Sequence, residues 1–296
     1  MPASSRRHIL AEGPVWVAAT ATILWIDVEA GSVFGGRLEA DRVEESWKRD
    51  FDGRVGAVVP GVDGSVLVAT SDRLVVVAPG GDRFDGPVVV PPGVHSRSND
   101  GGCDPAGRFL VGTLALDGRE GAECLYRVED DGSLTTIDDD LTLSNGLGWS
   151  PDGRLFYSTD TEPGIIWVRE YDVQTGSVGE RRQHLRIDGG YPDGLCVDAR
   201  GNLWVAVWGA GEVRSFDPDG QLVAVVAVPC PHPSSVAFVG ENLDVLLITT
   251  ASRDLSEREL VHYPDAGRLF LARVGTTGTA TSAWSASWRG TLVGRS

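Results

Sequence analysis

The chain has 296 residues, of which 42% are hydrophobic and 23% charged; that mix permits one large core and excludes the low-hydrophobicity, high-charge signature of disorder. Its 42 acidic residues against 26 basic ones leave a formal charge of −16, a surface that repels phosphate backbones and anionic lipid heads, so neither nucleic acid nor membrane is an expected partner. No apolar run reaches the roughly 18 residues that a membrane-spanning helix needs.

In chain order, residues 1–8 carry two arginines with no apolar stretch behind them. This does not read as a secretory signal, and a cytoplasmic location is expected. A turn-plus-strand unit then recurs as ATILWID (21–27), DGSVLVAT (63–70), AGRFLVGT (106–113), DGRLFYSTD (152–160), RGNLWVAVW (200–208) and ENLDVLLITT (241–250). Leu24, Leu67, Leu110, Leu155, Leu203 and Leu247 align, with steps of 43, 43, 45, 48 and 44 residues. A period of about 40–50 residues fits one four-stranded propeller blade. Second strands of each unit are expected at 73–78, 125–128, 166–168, 213–216 and 269–272. No apolar stripe of helical period extends over three turns, and 38 Gly with 16 Pro punctuate the chain, so helix content is expected to be low. The fold class is therefore all-β, a six-bladed β-propeller occupying residues 1–296 as one domain. The stretch after Val274 is expected to supply the last strands that close the ring with the amino terminus.

About 10 to 12 residues before the aligned leucines stand Glu12, the Val55-Gly56 pair, Asn99, Asn145, Asp193 and Ser235. Four of these are Asn, Asp or Glu, each followed by glycine at once or after one residue. Taken singly, Asn-Gly or Asp-Gly is usually a turn. At a repeated offset, preceding the inner strand and set in apolar text, the polar members are expected to converge on the central channel.

These residues carry a resemblance to the senescence-marker-protein/gluconolactonase family, the regucalcin-like sugar lactonases, over nearly the whole chain. The motifs are Glu-Gly-Pro-Val-Trp at 12–16, Arg-Ser-Asn-Asp-Gly at 97–101 with Asp-Pro-Ala-Gly at 104–107, Ser-Asn-Gly-Leu at 144–147, Pro-Asp-Gly-Leu at 192–195 with Leu-Trp-Val-Ala at 203–206, and Ala-Gly-Arg-Leu-Phe at 266–270. The resemblance implies a six-bladed propeller with one divalent metal in its channel, held by Glu12, Asn145 and Asp193, and a sugar lactone contacted by Arg97 and Asn99. Two departures bear on substrate. The acid often found after the third-blade Gly-Thr appears here only as Asp117, somewhat late. The histidine and tryptophan often found near the fourth-to-fifth blade turn are reduced to Trp208.

Two carboxylates and an amide carbonyl make an all-oxygen set suited to hard cations, Ca²⁺ foremost with Mg²⁺ and Mn²⁺; Zn²⁺ and Fe²⁺ remain open. Three protein ligands leave positions for water and substrate. In the expected reaction the metal activates a lactone carbonyl, Asp193 takes a proton from the attacking water, and an aldonic acid results. A nucleophilic serine is disfavoured, since no G-x-S-x-G elbow occurs. The five histidines are scattered, with His95 and His232 nearest the expected channel mouths. Cys103, Cys124, Cys196 and Cys230 form no C-x-x-C pair and read as buried thiols. The competing functions are a propeller hydrolase acting on other esters or phosphotriesters and a non-catalytic calcium-binding protein.

Overall fold

A computed structural model describes residues 1–285, 288 and 291–292. Six antiparallel sheets follow one another along the chain, each built of consecutive strands in simple meander order, the second with one further strand, Thr291–Leu292, added at its outer edge. Their innermost strands are Ala11–Val17, Val55–Pro60, Ser96–Cys103, Ser144–Trp149, Tyr191–Val197 and Pro233–Val239. Each packs against the innermost strand of the sheets before and after it, and the sixth packs against the first. The ring is a six-bladed β-propeller.

The recurrent units lie one strand further out than their spacing suggests. ATILWID and its counterparts are the second strands of the blades, for example Thr22–Asp27 and Leu203–Trp208, and the segments expected second are the third. The true inner strands have few alternating residues, because both their faces are buried between blades and their texts are rich in Gly and Ser. Five aligned leucines are fully buried; in the fourth blade Leu155 is partly exposed and Phe156 beside it is buried instead.

All six inner strands carry a register shift at the same level, between Glu12 and Val15, Val55 and Ala57, Asn145 and Leu147, Pro192 and Leu195, Pro233 and Ser235, and opposite Val111–Thr113 in the third blade. A β-bulge leaves an extra residue without a ladder partner and re-aims its neighbours. Repeated around the ring, it turns one level of the channel wall into a girdle of side chains that do not follow the sheet's alternation.

Among the described residues, ring closure falls to the amino terminus, not to the stretch after Val274. The backbone of Ala3 donates to Leu269 O at 2.7 Å and accepts from Val43 N–H at 2.8 Å, tying the sixth blade to the first. Buried His8 reinforces this joint: its Nδ1–H donates to Gly267 O at 2.9 Å, and its Nε2 accepts from Trp25 Nε1–H at 3.0 Å. Residues 278–284 instead cross the far end of the channel, bridging Asp198 at Gly278 and Gly61 at Trp284, and Thr291–Leu292 pair with Phe84 and Asp85 of the second blade. A sheet edge gains more from a strand laid along its unpaired N–H and C=O groups than a completed inner ring does. The one α-helix among the described residues is Glu257–His262, opened by a Ser256–Glu259 capping box.

Candidate active site

The girdle of bulges lines one end of a cavity of about 410 Å³. Glu12, Arg97, Asn99, Asn145 and Asp193, far apart in sequence, all reach its wall, together with Asp100, Thr161, Tyr191 and Trp208. The Asn-Gly and Asp-Gly pairs at 145–146 and 193–194 are not turns: they sit inside strands Ser144–Trp149 and Tyr191–Val197.

Their glycines answer to packing. A Cβ on Gly146 would lie 2.6 Å from Asp193 O and 2.9 Å from Leu195 N, and one on Gly194 would lie 2.1 Å from Ser235 Oγ. Neighbouring inner strands therefore touch backbone to backbone where the site residues stand. Gly146→Ala is expected to push the Asp193 strand aside, costing about 1–3 kcal/mol in stability. Thermal melts check this; a native melting temperature in the variant would refute the packing account.

Hydrogen bonds fix the amides. Asn99 Nδ2 donates to Ser144 O at 3.0 Å and to Asn145 Oδ1 at 2.9 Å. Asn145 Nδ2 donates to Thr161 Oγ1 at 2.9 Å, and the Thr161 hydroxyl donates to Pro192 O at 2.8 Å. This chain runs from the third blade to the fifth and sets which end of Asn145 is the acceptor. Arg97 is 4% exposed and its Nη1–H donates to Ser98 O at 2.8 Å. Burial, then the nearby Arg54 cation, lowers its pKa to about 10, which leaves it charged at neutral pH.

The carboxylates are under electrostatic stress. Burial pushes Glu12 well above the usual carboxylate range, and Asp193 and Asp100 push in the same direction; only the Gly13 N–H and Arg97 oppose them. Burial also raises Asp193, with Asp100 adding to it and Arg97 opposing. Asp100 rises to about 6 through burial, against the Gly101 N–H. Nothing in the sequence reading singled out Asp100. Its signal was present in the Arg-Ser-Asn-Asp-Gly element, but only the bulge opposite Gly112 brings both Asn99 and its neighbour Asp100 to the channel. Asp100 also lines a second cavity, of about 520 Å³, on the far side of the girdle, where residues 279–282 form part of the wall.

The donor chemistry fits a divalent cation. The half-buried Glu12 carboxylate and the buried Asp193 carboxylate repel each other; with an amide oxygen of fixed orientation beside them they form an all-oxygen set that a hard cation would relieve. Among the described residues no three His, Cys, Asp or Glu side chains form a metal-holding group; the expected donors include two acids, Glu12 and Asp193, and one amide, Asn145.

A pH dependence follows. Carboxyls whose folded pKa exceeds the unfolded value of about 4 hold extra protons in the folded state, so stability falls as pH rises from there through the raised values. Chelator-treated protein is expected to melt at higher temperature near pH 5 than near pH 8. Divalent cation should restore most of the loss at pH 8, and Glu12→Gln should flatten the slope. A melting temperature indifferent to both pH and cation would overturn this account.

Asp117 lies outside the cavity, 44% exposed and paired with Arg119 at 2.8 Å. His95 is exposed on the surface, away from the cavity wall. His232 sits behind Trp208, the two rings parallel with centroids 4.1 Å apart. All four cysteines are free, and burial raises each thiol. No helix among the described residues is long and apolar enough to cross a membrane.

A family model described as the SMP-30/Gluconolactonase/LRE-like region matches residues 10–252. The chain is 33% identical over 279 residues to the putative sugar lactone lactonase YvrE of Bacillus subtilis, covering 92% of this chain and 94% of that one. It is 33% identical over 275 residues to the pentonolactonase XacC of Haloferax volcanii, covering 91% and 92%. Among solved structures, a calcium-binding protein, regucalcin, from Agrobacterium tumefaciens superposes with a TM-score of 0.87 at 26% identity, covering 96% of this chain and 95% of that one.

Proposed function

This chain belongs to the SMP-30/gluconolactonase/LRE-like family, and from that premise we propose that it hydrolyses a sugar lactone to the open-chain aldonic acid. The observation that carries the reading is the convergence in one cavity of the paired acids Glu12 and Asp193 with the buried cation Arg97 and the oriented amides Asn99 and Asn145. The lactonases among its relatives support the reaction class.

Glu12, Asn145 and Asp193 would hold one divalent ion, Ca²⁺ by preference, which when bound supplies Lewis-acid chemistry at the lactone carbonyl. Arg97 offers a planar fork of donors to the lactone or its hydroxyls, and Asn99 orients the ring. A carboxylate oxygen of Asp193 takes a proton as water attacks the carbonyl carbon. The ring C–O ester bond then breaks, and that proton passes to the departing alkoxide to give the hydroxy acid. Burial of Arg97 strengthens its attraction for a developing negative charge, because little water remains to screen it.

The reaction is tested by following acid release from five- and six-carbon aldonolactones, using chelator-stripped protein resupplied with Ca²⁺, Mg²⁺, Mn²⁺ or Zn²⁺ in turn. Hydrolysis restored by one cation supports the reading. Silence on every lactone, with tight cation binding intact, would replace it with action on another ester or phosphotriester, or with a binding role.

A further inference from the structure

The cavity has two chemistries. Its floor carries Glu12, Arg97, Asn99, Asp100, Asn145 and Asp193. One side of the wall beside that floor, formed by Leu114, Leu143 and Trp208, is carbon, while Arg253 and Asp254 line the cavity elsewhere. Leu114 stands directly opposite Arg97 in the third blade and bridges to Leu143 at the entry of the fourth. Tyr191 stands directly opposite Trp208 in the fifth. Directly opposed residues leave a sheet on the same face with their Cβ atoms about 5 Å apart, so whatever Arg97 grips has Leu114 as its neighbour.

This wall is firm and offers few hydrogen bonds. Trp208 is braced by His232, the two ring planes 4° apart, and His232 Nδ1 lies 3.1 Å from Arg253 O. The charged groups Arg253 and Asp254, which line the cavity away from Leu114, Leu143 and Trp208, pair with one another or with Glu29. Arg253 pairs with Glu29 at 2.9 Å and with Asp254 at 3.4 Å, while Arg54 takes the other Glu29 oxygen at 2.7 Å. The Thr161 hydroxyl is held between Asn145 and Pro192 O. Tyr191, the wall residue with a polar tip, is 48% exposed and stands toward solvent, as does Glu162. A hydroxyl pressed against Leu114, Leu143 or Trp208 would lose its water without gaining a partner.

Resting on the lactonase reading, we propose that the substrate is a deoxysugar lactone. Its carbonyl and ring hydroxyls meet the polar floor, and its terminal carbon is a methyl group set against Leu114, Leu143 and Trp208. The preference is a property of the wall, whereas hydrolysis is a property of the floor, and the two can fail separately.

The test uses cation-loaded native protein and three matched pairs: L-fucono- and L-galactono-1,4-lactone, L-rhamnono- and L-mannono-1,4-lactone, and D-fucono- and D-galactono-1,4-lactone. Members of a pair differ only by the terminal hydroxyl. In the pair turned over fastest, kcat/KM is expected to favour the deoxy member by about 10–100-fold, the range that one such group is worth in an apolar pocket. Leu114→Gln, checked for a native melting curve, should erase or invert that ratio. Brisk hydrolysis with a ratio near one, or favouring the hydroxylated member, would overturn the preference and leave the lactonase reading standing. No hydrolysis of any of the six would overturn the deoxysugar proposal, and the wider five- and six-carbon aldonolactone panel would then decide the lactonase reading by itself.

Discussion

Asp193→Asn is expected to lower kcat/KM for lactone hydrolysis by about 10²–10⁴-fold, the usual worth of a positioned general base, while the far-ultraviolet circular dichroism stays native. The substitution preserves shape but removes the carboxylate oxygen proposed to accept the proton. It also removes one of the mutually repelling carboxylates at the channel girdle. The chelator-treated variant should therefore melt at or above the native temperature at pH 8, and its gain from added divalent cation should shrink. Loss of activity with unchanged or raised metal-free stability separates a chemical role from a structural one. Activity within tenfold of native would sink the assignment of Asp193 as base.

The second large effect lies away from the site. Asp138, on the outer strand Leu134–Leu141 of the third blade, and Arg169, on Ile165–Glu170 of the fourth, form a fork across the blade interface at 3.1 and 2.6 Å. Arg169 and Asp138 have side-chain exposures of only 2% and 6%, and Arg181 closes on the same carboxylate at 2.9 Å. Asp138→Ala would strand the Arg169 guanidinium, leaving it a long 3.4 Å contact to Ser158 Oγ and the face of Phe156. The expected cost is about 3–5 kcal/mol, or a drop in melting temperature on the order of 10 °C, with kcat unchanged. The double variant Asp138→Leu/Arg169→Met should recover most of the loss, because desolvating two charges offsets much of what their pairing returns. A single variant that melts within 2 °C of native would show the fork to be dispensable.

Blade number was readable from spacing because every blade must bury the same kind of strand against its neighbours, so apolar text recurs at the period of the structure. The site residues were readable for a related reason: Glu12, Asn99, Asn145 and Asp193 interrupt that text at one offset, where a buried polar side chain needs a partner or a cation. Asp100 was not readable. An Asp next to an Asn before Gly looks like any turn, and only the bulge opposite Gly112 brings both residues to the channel. The glycines after Asn145 and Asp193 carry turn propensity in sequence, and only the repeated offset set those pairs apart from turns; that Gly146 and Gly194 serve strand-to-strand contact is visible in the structure alone.

The sequence by itself determined the propeller, its six units and the chemical type of the residues at its axis, because hydrophobic periodicity and buried polarity are local constraints that each segment must satisfy. Tertiary structure alone decided which strand of each unit faces the axis, that the amino terminus closes the ring while residues 278–284 cross beneath it, and that Leu114 and Trp208 rather than Asp117 stand beside the charged floor. These depend on register and on contacts between residues tens to hundreds of positions apart, where a shift of one residue reverses which side chains face inward and leaves composition and period unchanged.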